Sequence, residues 1–200
     1  MPLLVATGNA GKLREFRRLL DGIDIVSPAD LALTLEVEES GATFAANARL
    51  KAEAYAAAAG LPALADDSGL EVDALDGAPG VHSARYGGTG LNHSQRCDLL
   101  LQSLAGHPRP AQRAARFRCV LVAVAADGRQ CQAEGVCEGR IARAPQGSGG
   151  FGYDPIFCLP DLGRTMAELS ASEKDRISHR GRALRVVRPL LTQTFAELRG

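Results

Sequence analysis

The chain has 200 residues, 46% of them hydrophobic, enough to pack one large domain or one domain with two lobes. Lys plus Arg and Asp plus Glu are both 23, so the net charge is zero; a duplex nucleic-acid binder would need a strong basic excess, whereas a small anion held by a local patch stays open. No apolar run reaches membrane-span length, no signal peptide is read, and five scattered cysteines without a C-x-x-C pair read as small buried hydrophobes of a reducing, cytoplasmic setting.

Leu3, Leu4, Val5 and Ala6 form a short apolar run that predicts a strand. Thr7-Gly8-Asn9-Ala10-Gly11-Lys12 follows as a tight loop, and Leu13, Phe16, Leu19 and Leu20 recur behind it at helical spacing. The loop offers backbone N–H groups at a helix N-terminus plus one lysine, which suits phosphate; it fits an ordinary strand-to-helix turn equally well. It is not a P-loop, because Ala6 stands at the first glycine position and Leu13 replaces the Ser/Thr. Thr43 to Ala59 predicts a helix stopped by Gly60, with Pro62 beyond. A short strand, Ala63-Leu64-Ala65, is expected to stop at Asp66-Asp67-Ser68-Gly69, and Leu70 to Leu75 to form a half-exposed strand. Residues 76–90 read as an ordered Gly/Pro-rich loop and residues 92–104 as a helix. Phe117 to Ala126 and Arg129 to Ile141 read as two strands joined by a turn at Asp127-Gly128. Gly147 to Gly152 is a second glycine-rich loop. Arg182 to Leu198 predicts a closing helix that Pro189 kinks or breaks. Early alternation of strand and helix, then a hairpin, predicts an α/β fold with a mixed sheet.

Candidate chemistry clusters at several points. Asp66 and Asp67 end a strand, where α/β sheets bind ligands. Two carboxylates beside a phosphate loop suit a divalent metal; the same residues also suit a solvated turn. Glu36, Glu38 and Glu39 supply a further ligand if their loop folds beside Asp67. Asn47 and Lys51 are four apart and share a helix face, either solvated or turned to the site with Lys51 on phosphate. Phe151, Tyr153 and Asp154 suit stacking on a base and accepting its N–H groups, or a plain hairpin loop. His179-Arg180, in the basic stretch Lys174 to Gly181, reads as a binding corner or as a solvated helix face.

In this order, TGNAGK at 7–12, Glu38-Glu39-Ser40-Gly41, Asn47-Ala48 with Lys51, ADDSGL at 65–70, GAPGVHSARYGG at 77–88, GGFGYDP at 149–155 and Ser178-His179-Arg180-Gly181 closely resemble the inosine triphosphate pyrophosphatase family, in its bacterial branch. The resemblance runs nearly end to end. It implies a Mg²⁺-dependent enzyme that hydrolyses dITP, ITP and XTP to the monophosphate and pyrophosphate. It implies a single 1–200 domain of two lobes around a long mixed sheet flanked by helices, with the active site between the lobes, in a homodimer. By position it makes Asp67 the proton acceptor and a metal ligand, with one of Glu38 and Glu39 as another. Thr7, Gly8, Asn9, Ala10, Gly11, Lys12 and Ser68 bind substrate, chiefly its phosphates, with Lys51 beside them. Phe151, Gly152, Tyr153, Asp154, Lys174, His179 and Arg180 line the nucleotide site. Many members carry a glutamate where this chain has Ala46, so that carboxylate is absent or moved. Two other readings are a Maf-like pyrophosphatase for modified pyrimidine or methylated nucleotides and a non-catalytic nucleotide sensor.

Overall fold

The structure, a computed structural model, describes residues 1–198; the last two residues of the expected 1–200 domain lie outside the described residues. Among the described residues seven strands make one sheet: β1 Leu3–Val5, β2 Ile25–Val26, β3 Ala63–Val72, β4 Ala114–Val124, β5 Gln130–Ile141, β6 Phe157–Leu159 and β7 Arg164–Thr165. Their order is β2-β1-β3-β4-β5-β6-β7. The sheet is mixed, because β1 runs parallel to β2 and β3 whereas β6 runs antiparallel to β5 and β7. Among the described residues five α-helices accompany it: α1 Ala10–Leu19, α2 Phe44–Ala59, α3 His93–Ser103, α4 Ala171–Ile177 and α5 His179–Thr194.

Local chemistry explains the helix ends that matter most. Asn9 caps α1 by accepting from the Lys12 amide at 3.0 Å, and Thr43 caps α2 by accepting from the Ala46 amide at 3.1 Å. Gly60 ends α2 in the left-handed region, at φ 65°, and donates to the Ala56 carbonyl.

Two expectations are corrected and a third is narrowed. Asp66 to Gly69 is not a turn; it lies inside β3, which continues to Val72 before a 3-10 turn at Asp73–Leu75. The low strand propensity of Asp gives way because β3 sits between β1 and β4, and partners for both carboxylates are close by. The closing helix starts at His179 rather than Arg182, directly after Ser178 ends α4 in an extended conformation. Of the two outcomes expected at Pro189, the break does not occur: the residue is exposed and α5 continues through it to Thr194.

The chain divides into two compact units. The first comprises residues 1–67, 119–135 and 179–200, the second residues 68–118 and 136–178. Each has its own core. In the first, Phe16 of α1, Leu20 just after it, and Leu184, Val187 and Leu191 of α5 pack on Leu3, Leu64 and Leu121 of the sheet. Each such fully buried side chain is worth roughly 1.5–3 kcal/mol. In the second, Leu100 of α3, Phe117, Ile141, Ile156, Phe157 and Met166 form the cluster, with the Phe117 and Phe157 rings 4.4 Å apart.

Candidate active site

In the first unit, the loop after β1 enters α1 through Thr7, Gly8 and Asn9. The Thr7 hydroxyl accepts the Asn9 amide at 3.2 Å, so the loop is tied down from within. Within the first turn the Lys12 amide is taken by the Asn9 side chain and the Leu13 amide by the Asn9 carbonyl, so the Ala10 and Gly11 amides are the ones without an acceptor inside the helix. Lys12 reaches from that turn to Asp66 in β3, with Nζ 2.9 Å from Oδ2. Arg180, in the first turn of α5, donates to Asp66 Oδ2 at 3.2 Å and to Glu15 Oε2 at 2.6 Å. Glu15, Arg180, Asp66 and Lys12 thus form a chain of alternating charge, of which the first three are buried. Burial alone would raise the Asp66 carboxyl; Lys12 and Arg180 override it and hold the group well below the usual carboxylate range.

A second set surrounds Asp67. The Asn47 amide donates to Asp67 Oδ2 at 3.1 Å. Lys51 Nζ lies 2.7 Å from Glu39 Oε1 and 4.0 Å from Asp67 Oδ1. Asn47 and Lys51, four residues apart on α2, therefore both turn toward Asp67. Burial raises the Asp67 carboxyl above its ordinary value, and Glu39 adds to the rise; Lys51 and Asn47 oppose it. Burial works against the charge of Lys51, yet Asp66, Asp67 and Glu39 together raise its pKa. Glu39 is half-buried, whereas Glu36 and Glu38 are exposed.

A cavity of about 260 Å³ opens here, lined by Thr7, Gly8, Asn9, Lys12, Glu39, Lys51, Tyr55 and Asp66 among others. It is somewhat smaller than the roughly 300–1,000 Å³ of a typical small-molecule site, and most of its polar lining is charged or amide-bearing. Among the described residues no ready group of three or more His, Cys, Asp or Glu side chains is arranged around a metal. Glu39 and Asp67 nevertheless present two hard oxygen donors to one cation, the Lys51 ammonium. Mg²⁺ is commonly held by one or two carboxylates with phosphate and water completing the shell, so the donor set fits that ion.

In the second unit, Ser68 follows Asp67 in β3 and is half-buried. The 147–156 segment is organised by Asp154. Its Oδ2 accepts the Phe151 amide at 2.8 Å and the Lys174 ammonium at 2.7 Å. Lys174 Nζ also lies 4.5 Å from the Phe151 ring centroid, a cation over an aromatic face. Gly150 has φ 73°, and a Cβ there would run into the Asp154 carboxylate. Tyr153 is buried, and its hydroxyl donates to the Ser83 carbonyl at 2.9 Å. The Cys97 thiol, which donates weakly to the Gly152 carbonyl, is pushed up to about 11 by burial, so it stays a neutral packing group.

In the first unit the structure gathers Thr7 to Lys12, Glu39 and Lys51 around the cavity, with Asp67 at Lys51 and Arg180 at Asp66, while His179 is buried at the start of α5. It gathers Phe151 to Asp154 with Lys174 in the second. Sequence reasoning left Glu15 and Tyr55 unassigned. The signal for Glu15 is its place between Lys12 and Leu19 on the stripe of α1 that packs inward; Tyr55 carries no comparable mark.

Helix-end amides, two lysines and buried carboxylates around one cavity define the class: enzymes that act on polyphosphate esters. The chain belongs to the Ham1 family, whose model matches residues 3–190. It is 52% identical over 185 residues to the dITP/XTP pyrophosphatase of Geobacillus kaustophilus, covering 91% of this chain and 90% of that protein. Among solved structures it is similar to a HAM1 protein from Coxiella burnetii, at 41% identity and a TM-score of 0.87, over 96% of this chain and 99% of that one. The Staphylococcus aureus Ham1 protein matches at 38% identity with a TM-score of 0.86, over 96% and 99%.

Proposed function

We propose that this enzyme hydrolyses non-standard purine nucleoside triphosphates, dITP and XTP foremost, to the monophosphate and pyrophosphate, with Asp67 as the proton acceptor. The Geobacillus kaustophilus relative carries that activity in its name, and the chain shares about half its residues with it across nearly its whole length. The observation that carries the assignment of residues is the meeting of Glu39, Lys51 and Asp67 beside the loop of Thr7 to Lys12.

Glu39 and Asp67 are the residues that would hold Mg²⁺, which when bound supplies charge neutralisation on the triphosphate. Glu38, exposed, is the lesser candidate of the pair. The amides at the start of α1, with Lys12 and Lys51, stabilise charge on the leaving pyrophosphate. Asp67, its proton affinity raised by burial, accepts the proton of the attacking water. In the second unit, Phe151 offers a ring for stacking on the purine, and Lys174 offers a donor to the 6-keto oxygen that separates these bases from adenine. The same reading makes the protein a cytoplasmic homodimer without a nucleic-acid partner. No helix among the described residues is long and apolar enough to cross a membrane.

The test is pyrophosphate release from dITP, XTP and dATP, with and without Mg²⁺, for the parent and Asp67→Asn. The reading expects Mg²⁺-dependent turnover of dITP and XTP, little of dATP, and collapse in the folded variant. Near-normal turnover by Asp67→Asn would sink the residue assignment, and comparable rates on dITP and dATP would sink the specificity. Binding of nucleotide without any pyrophosphate release would favour a sensor instead.

A further inference from the structure

Asn47 has no part in the chemistry assigned so far, yet it is fully buried in α2. A buried amide is costly unless both of its ends are hydrogen-bonded. Here both are. Oδ1 accepts the Gly41 amide at 2.8 Å, and Nδ2 donates to Asp67 Oδ2 at 3.1 Å. The amide orientation follows from its partners, since a carboxylate only accepts and a peptide N–H only donates. One rigid plane therefore joins the reacting carboxylate of β3 to the loop that bears Glu39, two residues before Gly41. With Oδ2 held by Asn47, Asp67 presents Oδ1 on the side of Lys51. The seat at Gly41 is tight: a Cβ there would stand 2.7 Å from Asn47 Oδ1 and 2.7 Å from Ala46 Cβ.

We infer that Asn47 is a positioning residue of this reaction, setting the separation and orientation of the Asp67 and Glu39 carboxylates without touching metal or substrate. The inference rests on the reading of those two carboxylates as the pair that holds Mg²⁺. Residues that orient metal-holding side chains in this way cost about 10–100-fold in metal affinity or activity when removed.

Two variants approach the amide from opposite sides. Asn47→Leu keeps the branched shape and removes both hydrogen bonds. Gly41→Ala leaves Asn47 and Asp67 chemically intact and pushes the Glu39 loop off the amide. The full chain is titrated with Mg²⁺ alone in a calorimeter, kcat on dITP is measured at saturating Mg²⁺, and thermal melting reports folding. Both variants are expected to weaken Mg²⁺ binding by about 10-fold or more and to lower kcat by a similar factor. A residue that merely fills the core would lower the melting temperature and leave the Mg²⁺ dissociation constant and kcat at parental values; that result overturns the inference. If Asn47→Leu does not fold, Gly41→Ala decides by the same measures. Asp67→Asn separates the two levels. If it keeps Mg²⁺ binding and turnover, the underlying reading fails. If it loses both while Gly41→Ala and Asn47→Leu lose neither, only the inference about Asn47 fails.

Discussion

Replacing Asp66 with Asn keeps the side chain's shape and deletes one charge from the chain Glu15–Arg180–Asp66–Lys12. The two cations that Asp66 separates would then face each other with like charge. At an effective dielectric of about 20, each contact near 3 Å is worth about 5–6 kcal/mol before desolvation. Burial cancels much of that, but breaking a buried pair from one side still costs about 3–5 kcal/mol, because the partners stay behind uncompensated. Asn47→Leu and Asp66→Asn thus probe different things, the first the geometry of two carboxylates and the second the charge balance beside the loop of Thr7 to Lys12. Urea unfolding of the parent and Asp66→Asn at pH 7 and pH 4.5 measures the gap. The Asp66 carboxyl is depressed in the folded chain, so its contribution is complete above the unfolded carboxylate range of about 4. It is lost only as pH falls through the lower folded value. The gap should therefore be about 3–5 kcal/mol at both pH values. A gap below about 1 kcal/mol, the size of an exposed pair, would refute the reasoning. So would a gap that closes by pH 4.5, because Asp66 would then be protonating in the ordinary carboxylate range.

Two further outcomes concern the second unit. Phe151→Ala should raise KM for dITP by about 5–150-fold, since stacking on one base is worth about 1–3 kcal/mol, and steady-state kinetics on the folded variant checks it. An unchanged KM would make Phe151 a packing residue. Tyr153→Phe removes the donor to the Ser83 carbonyl and should cost about 1–3 kcal/mol in a denaturant melt. Because that hydroxyl is committed to Ser83, KM for dITP should stay within about 2-fold; a larger rise would place the hydroxyl on the nucleotide.

The α/β class and the mixed sheet were legible from alternation, and the ends of α2 from Thr43 and Gly60. What misled was local propensity. Asp66-Asp67-Ser68-Gly69 has the composition of a turn, and its strand conformation depends on Lys12, Asn47 and Arg180, which lie far away in sequence. His179 and Arg180 read as a binding corner before Gly181 or as a solvated helix face, yet all three residues open α5 and are buried. The loop of Thr7 to Lys12 was visible as strand, glycines and lysine, but its charge partner Asp66 was visible only as half of an acidic pair. Glu38 and Glu39 are indistinguishable by type. Exposure separates them, and exposure here comes from the way the segment before α2 lies beside Lys51. Tyr153 and Asp154 looked alike as base-reading groups. In the structure one spends its hydroxyl on Ser83 and the other its carboxylate on Phe151 and Lys174, bonds that no spacing rule encodes.

The two compact units are each discontinuous in the chain, one built from three segments and the other from two. The backbone crosses from one to the other four times, and three of the crossings fall inside β3, β4 and β5. No single nick or truncation can therefore liberate either unit as an uninterrupted polypeptide. During synthesis the first unit stays without its last helix until the ribosome has passed the whole of the second. A deletion that removes α5 should consequently damage the same unit as a lesion in β1, although the two lie far apart in sequence.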